Sequence, residues 1–236
     1  MSAAQAGFPD RPIMLMVGAS PGGGVDAAAR LIGRKISESL LQPVTVENRP
    51  GAYSRIANAF VAKSAPDGHT LLIATATAAI DVAVDPLANP NALRDFVPVS
   101  TIAMTDLILV VSPTLPVHNV AELVAYAQAR PGELNYSTPG ARTIYHLEGE
   151  RFKLRTGVHI VHIPYRGLVP ALAELISGNV EMSFASLPAA LPLIRAGRVR
   201  ALAVASAVRS PLLPDVPTLR ESGVDDVDAT VWYGIL

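Results

Sequence analysis

The sequence predicts an α/β fold built from two wound lobes. Runs of β-branched and aliphatic residues, which are typical of strands, alternate with segments whose apolar residues recur at helical spacing. Such alternation favours sheets of mainly parallel strands flanked by helices. The chain has 236 residues, of which 50% are hydrophobic and 17% charged, so it carries enough apolar material for a well-buried core.

The first part of the chain is predicted to form a β-α-β-α-β unit. It begins with a strand over 13–17, a glycine-rich turn, and a helix from about Val25 to Leu40. The strand PVTVE, a helix through YSRIANAFVAKSA and the strand HTLLIAT complete the unit. The segment DPLANPNALRDFVP is rich in Pro and Asn and has no clear period, which indicates a crossing segment.

The pattern then restarts and predicts a second wound unit. Strands and helices alternate through LILVVS, VAELVAYAQAR, ELNYS, TIYHLEGERFKLR, HIVHIPY, LVPALAELISG, VEMSFAS, PAALPLIRAG and RVRALAVAS. The last segment, ATVWYGIL, is a predicted strand that we expect to return to the first lobe. Lobe I is therefore expected to comprise residues 1–100 and 226–236, and lobe II residues 101–225, with a ligand cleft between the lobes.

Composition excludes several classes of function. The net charge is −1 and the basic residues are scattered, so the sequence carries no electrostatic footprint of a nucleic-acid-binding protein. The absence of cysteine excludes disulfides, a cysteine nucleophile and thiolate metal sites. No apolar run approaches the roughly 20 residues needed to cross a bilayer.

The N-terminal region leaves the cellular compartment open. Residues 4–6 read Ala-Gln-Ala, a pattern that can precede a signal-peptide cleavage site, yet no basic segment followed by an apolar core stands before it. A chance match and a removed export signal are both compatible with this pattern.

A G-x-S-x-G pattern at 18–22 raises the question of a hydrolase. In a nucleophile elbow the N–H of the residue after the serine helps to form the oxyanion hole, but here that residue is Pro21, which has no N–H. Only 19 residues precede Ser20, which leaves no room for the loop that supplies the second donor. Nucleotide-binding spacings are not met either, because Val25 follows the last glycine where a P-loop has lysine.

What remains at this turn is a set of backbone N–H groups at a helix start, which favour an anion. Asp26 lies in the first helical turn, where it could cap the helix or contact a ligand.

A second strand, Pro/Gly turn and helix start follow in LNYSTPGARTIYHLEGE. There Ser137 and Thr138 offer hydroxyls, Gly140 and Ala141 offer N–H groups, and Arg142 is either a carboxylate-binding fork or a solvated loop charge. Two such turns suit a small carboxylate.

The combined motifs resemble the Bug, or TctC-like, extracytoplasmic solute receptors, the binding proteins of tripartite tricarboxylate transporters. The resemblance runs from about Phe8 to the end and rests on RPIMLMVGASPGGGVDAAARLIGRKISESLLQPVTVENRPGA, APDGHTLLIAT, LNYSTPG, HIPYRGLVPALAELISGNVEMSFASLPAALPLIRAGRVRALAV and RSPLLPDVPTLRESG. It implies a two-lobed type II periplasmic-binding-protein fold and a periplasmic, non-catalytic receptor without a cofactor. The implied ligand is a di- or tricarboxylate, an acidic amino acid or an aromatic acid. The implied partners are the membrane subunits of the transporter, and the receptor itself is expected to be a monomer.

The resemblance also implies the binding residues. By motif these are Ala19, Ser20, Pro21, Gly22, Gly23, Gly24, Asp26, Thr75, Thr77, Ser137, Thr138, Gly140, Ala141, Arg142, Thr143, Tyr165 and Ala185, with no catalytic residue and no metal ligand. The turn 75–78 and the segment 165–167 are expected to complete the pocket. The alternative is a cytoplasmic carboxylate sensor or enzyme with the same fold.

The sequence departs from the family pattern at several places. Ala19 and Ser20 stand where the family often has an aromatic residue and a proline, Arg142 where it has a small or amide residue, and Ala185 where an aspartate is common. Family members continue beyond WYGIL, so the C-terminal part of lobe I is expected to be truncated.

Overall fold

A computed structural model describes residues 7–87, 89–92, 94–226 and 229–236. The Ala-Gln-Ala pattern at 4–6 and positions 88 and 93 of the predicted crossing segment lie outside this range. Within it, no helix is long and apolar enough to cross a membrane.

Strands and helices alternate as the sequence predicts, which confirms the α/β class. The strands are β1 Ile13–Val17, β2 Val44–Asn48, β3 Thr70–Thr75, β4 Ser100–Val111, β5 Asn135–Thr138, β6 Val161–Pro164, β7 Met182–Ser186, β8 Arg200–Val204 and β9 Thr230–Ile235. The helices are α1 Gly24–Leu40, α2 Arg55–Ala62, α3 Ala76–Val84, α4 Val120–Gln128, α5 Ile144–Thr156, α6 Leu168–Ser177 and α7 Leu187–Arg195, and a short 3₁₀ turn covers Ala52–Ser54.

The chain divides into two compact units. Unit 1 comprises Met1–Ala103 and Tyr233–Leu236, and unit 2 comprises Met104–Trp232. The strands β4 and β9 therefore each contribute residues to both units.

Unit 1 contains a sheet with β1 at its centre. Strand β1 pairs in parallel with β2 and with β3, and β3 pairs antiparallel with the end of β9, where Ile73 lies opposite Ile235. The return of the last strand to this sheet agrees with the expectation from the sequence. Alternate β1 side chains enter two cores, since Leu15 packs with Ala29 of α1 and Met16 packs with Ala57 of α2.

Unit 2 contains a mixed sheet. Strand β5 pairs in parallel with β6 and β7, whereas β4 pairs antiparallel with both β7 and β8. The preference for parallel pairing that the sequence indicates thus holds for β5, β6 and β7 but not for β4. Helices α6 and α7 cover one face, where Leu172, Leu175 and Ala190 pack against Ile108 and Val110.

Two elements differ from the sequence prediction. Residues 75–78, expected as a turn, are the start of α3, because the Thr75 hydroxyl caps this helix by accepting a hydrogen bond from the Thr77 N–H. The Thr-Ala run of α3 continues the apolar run of β3 without a change of period, so nothing in the sequence marks where the strand ends and the helix begins. Strand β4 begins at Ser100, well before the predicted strand LILVVS. The sequence does not reveal this early start, because the first part of β4 is polar and partly exposed.

Gly149→Ala tests the packing between α5 and β5. A Cβ at Gly149 would lie 2.3 Å from Cε2 of the fully buried Tyr136 ring, which cannot move aside because it is enclosed on all sides. We expect a loss of about 1–3 kcal/mol in the free energy of unfolding, measured by urea denaturation. Gly7→Ala is the control, since nothing lies within 4 Å of its added Cβ. Equal stability of the two variants would contradict the packing described here.

Candidate functional site

In each unit, three parallel strands lead into three helices at one edge of the sheet. In unit 1 these pairs are β1–α1, β2–α2 and β3–α3, and in unit 2 they are β5–α5, β6–α6 and β7–α7. The carboxyl ends of parallel strands share an edge, so the N-termini of the following helices gather there. Each N-terminus carries a partial positive charge and first-turn N–H donors, which together favour an anion.

The unit 1 turn, residues 18–23, lies between β1 and α1. The helix starts after Gly23, which provides no side-chain cap. The Asp26 carboxylate, only 4% exposed, instead accepts hydrogen bonds from the Gly22 N–H at 3.0 Å, Arg30 Nε at 3.1 Å and Asn48 Nδ2 at 3.0 Å. Asp26 therefore holds the turn in place through Gly22, Arg30 and Asn48, and it does not cap α1, which has no side-chain cap.

The ionisation of Asp26 follows from these contacts. Burial acts to raise its pKa, but hydrogen bonds from Arg30, the Gly22 N–H and Asn48 outweigh burial, so the pKa is lowered below its ordinary value. Asp26 is thus a carboxylate at neutral pH, and its charge is neutralised from within the unit by Arg30 at 3.0 Å.

The end of β2 supports the same turn from the side. The Asn48 amide also donates to the Ala19 carbonyl at 3.0 Å, and the Ser54 hydroxyl donates to the Gly18 carbonyl at 3.1 Å. A Cβ at Gly18 would lie 2.5 Å from the Ser54 Cβ, so only glycine allows this approach. Neither Asn48 nor Ser54 is predicted from the sequence, because both contacts join residues that are far apart along the chain.

The unit 2 turn follows β5 and is held by buried hydroxyls. The Ser137 hydroxyl donates to the Ala171 carbonyl at 3.1 Å, and Thr138 Oγ1 lies 2.7 Å from His162 Nε2 and accepts from the Gly140 N–H at 3.2 Å. Neither side chain is exposed to solvent. These contacts argue against the predicted ligand contacts by the two hydroxyls and show the Gly140 N–H engaged within the turn.

Ala185 is also enclosed, within the apolar core of unit 2. Its complete burial, one residue before the end of β7, argues against a ligand contact by its side chain. The next residue, Ser186, precedes α7 without capping it, and its buried hydroxyl makes no hydrogen bond among the residues described.

The helices that begin at the unit 2 edge differ in their caps. Thr143 caps α5 by accepting from the His146 N–H at 3.4 Å, and its hydroxyl donates to the Gly140 carbonyl at 2.7 Å. Helix α6 begins after Gly167, which provides no side-chain cap. The Tyr165 N–H donates to the Thr138 carbonyl at 2.9 Å, which ties the start of α6 to the turn after β5.

Arg142 stands out in this turn because its φ of 57° lies in the left-handed region, which non-glycine residues rarely adopt. Its side chain is partly buried.

Of the other predicted site residues, Thr75 and Thr77 form the cap of α3. The remaining ones are at least partly exposed, namely Ala19, Ser20, Pro21, Gly22, Gly23, Gly24, Gly140, Ala141, Thr143 and Tyr165.

A histidine pair that the sequence analysis missed lies beneath the unit 2 turn. The rings of His146 and His162 lie 4.2 Å apart, and the Tyr136 ring lies 4.9 Å from His162. Burial, with the neighbouring His146, lowers the pKa of His162 to about 4. His162 is therefore neutral at neutral pH and pairs with Thr138 without adding charge to the turn. In the part of the chain that the structure covers, no three His, Cys, Asp or Glu side chains are grouped to hold a metal ion.

Comparison with known proteins identifies the family. Residues 28–236 match the family described as tripartite tricarboxylate transporter family receptor, TctC. The chain belongs to the TctC receptor family. It is 40% identical over 231 residues to protein BugT of Bordetella pertussis, which covers 97% of this chain and 71% of BugT. The resemblance to Bug and TctC-like receptors that the sequence predicts is confirmed.

Two solved structures share the fold. R. palustris Rpa4515 with adipate is 37% identical, with a TM-score of 0.90 over 97% of this chain and 77% of that one. MatC from Rhodopseudomonas palustris with bound malate is 31% identical, with a TM-score of 0.90 over 97% of this chain and 78% of that one. The type II periplasmic-binding-protein fold is confirmed, and the family and fold are those of solute-binding receptors.

Asp26→Asn tests the network that holds the unit 1 turn. An amide at position 26 would place a donor among the donors of Gly22, Arg30 and Asn48, so we expect a loss of about 1–3 kcal/mol in stability at neutral pH. Because the folded-state pKa of Asp26 is lowered, its contribution is present above the unfolded pKa, about 3.9, and is lost as the pH falls through the folded value.

Urea denaturation of both proteins across the acid range measures this effect. The gap between wild type and Asp26→Asn should narrow as the pH falls below about 4. A gap that is absent at neutral pH, or that does not change with pH, would contradict the network. Asp225→Asn, on an exposed side chain, is the control and should leave stability unchanged within about 0.5 kcal/mol.

Proposed function

We propose that this TctC-family chain is a periplasmic receptor that captures a small dicarboxylate and presents it, without chemical change, to the membrane subunits of a tripartite tricarboxylate transporter. The ligand binds at the turns that follow the parallel strands. Recognition rests on backbone N–H groups at the start of the helices, supplemented by the guanidinium of Arg142.

The observation that carries this proposal is the way the helices begin. Helices α1 and α6 start after Gly23 and Gly167, which supply no side-chain cap, so their first-turn N–H groups are left for a ligand or water. Asp26 and Thr138 accept the Gly22 and Gly140 N–H groups, which precede the helices, and neither caps α1 or α6. A glycine start also lets a ligand oxygen approach the backbone closely.

The ligand class is supported by the relatives. Rpa4515 is described with adipate and MatC with malate, and both ligands are small dicarboxylates of different length. Backbone N–H groups recognise the carboxylate group that these acids share and are indifferent to the carbon chain between the ends. This favours a dicarboxylate for the present chain as well.

Titration with adipate and malate, followed by thermal unfolding, tests the proposal. A ligand that binds only the folded chain raises its stability by RT ln(1 + [L]/Kd), about 2.7 kcal/mol at a hundredfold excess over Kd. Adipamide, the neutral diamide of adipate, is the control and should have no effect, because it brings no charge to the helix N-termini. If the chain is folded and neither adipate nor malate raises its melting temperature, the proposed function is contradicted.

Arg142→Ala tests the contribution of the guanidinium. A charge-assisted hydrogen bond to a ligand carboxylate contributes roughly 1.5–3 kcal/mol, so the Kd of the bound acid should rise at least tenfold. The control is Arg198→Ala, which removes an exposed arginine two residues before β8 and should leave the Kd unchanged. Calorimetric titration measures the Kd of both variants. If Arg142→Ala binds the acid as tightly as the wild type does, Arg142 is a solvated loop charge without a role in binding.

A further inference from the structure

Four consecutive residues after β2 have positive φ angles. Gly51 is at 119°, Ala52 at 46°, Tyr53 at 58° and Ser54 at 69°. We call residues 51–54 the left-handed segment. The left-handed conformation brings the Cβ of an L-residue too close to the following carbonyl oxygen. Residues other than glycine therefore normally adopt it one at a time and not in succession. Here three non-glycine residues adopt it in succession, whereas the sequence predicts that Tyr53 begins a helix.

Such a segment persists only where the surrounding structure holds it. At its end, the Ser54 hydroxyl is bonded to the Gly18 carbonyl, and the close approach of these two residues requires glycine at position 18. The next residue, Arg55, pairs at 2.7 Å with Asp81 on α3 and at 2.7 Å with Asp85, which directly follows α3. The left-handed segment is therefore clamped between the unit 1 turn and α3.

The strain is avoidable at one position in particular. Glycine at position 53 would adopt the same backbone without steric cost, yet the chain carries tyrosine there. The Tyr53 side chain is 40% exposed, so it is not required to fill the core of unit 1. A large aromatic side chain, held in a disfavoured backbone conformation beside the proposed ligand turn, is typical of a residue retained for recognition.

We propose that Tyr53 is the specificity-determining residue at the unit 1 turn, and that its ring packs against the carbon chain of the dicarboxylate. This inference rests on the proposed function. The backbone donors of the turn bind any carboxylate, so discrimination between acids must come from side chains that contact the carbon chain. An aromatic ring offers apolar area to a longer chain and less to a short hydroxylated one.

Three variants at this position separate the ring from the backbone. Tyr53→Phe retains the ring, Tyr53→Ala removes it and keeps the strain, and Tyr53→Gly removes both. Calorimetric titration of each variant with adipate and with malate gives the ratio of the two affinities. We expect Ala and Gly to weaken adipate binding about tenfold and malate binding less, so that the ratio changes, while Phe keeps the wild-type ratio. Tyr126→Ala, on α4, is the control and should keep the wild-type ratio.

Thermal unfolding without ligand provides the second measurement. Tyr53→Gly should melt about 2–4 °C above Tyr53→Ala, because both lack the ring and only Gly relieves the strain. Equal melting temperatures would overturn the argument from strain, and an unchanged affinity ratio in Ala and Gly would overturn the role in specificity. A folded wild-type chain that binds neither acid would overturn the proposed function together with this inference, whereas wild-type binding with an unchanged ratio overturns only the role of Tyr53.

Discussion

The first-turn N–H groups of helices α1 and α6, which follow parallel strands, are the groups on which the proposed ligand site depends. A parallel strand followed by a helix always delivers an N-terminus to the same edge of its sheet, and each unit repeats this step three times. Glycine before α1 and α6 leaves these donors without a side-chain cap. The remaining polar residues of the turns serve this arrangement, because they hold the backbone in place from beneath.

The two units hold their turns by different chemistry. In unit 1 the turn rests on a buried carboxylate, Asp26, which Arg30 and Asn48 neutralise and satisfy. In unit 2 it rests on hydroxyls and on His162, whose lowered pKa keeps the imidazole neutral. Because the unfolded chain protonates His162 near its ordinary pKa and the folded chain only near about 4, this histidine lowers stability as the pH falls through that interval. Both networks are intact at neutral pH, where a dicarboxylate ligand carries its full charge.

The sequence predicts the order of strands and helices well, because Pro, Gly and changes of apolar period mark most boundaries. It misses α3, since the run after Thr75 continues the apolar composition of β3. It names Ser137 and Ala185 as ligand contacts, although both are enclosed by packing between elements, which no local pattern reports. It also misses the contact of Thr138 with His162 and the left-handed segment, because these depend on residues that only the fold brings together.

Amide NMR of the isotope-labelled chain during titration with adipate tests the central claim most directly. If the backbone donors bind the carboxylate, the largest saturable shifts belong to the amides of residues 23–25, 141–144 and 167–169. The Tyr126 amide on α4 serves as an internal reference and stays in place. Saturable binding that leaves the amides at these helix starts unmoved, or that shifts a different group of amides, would contradict the account.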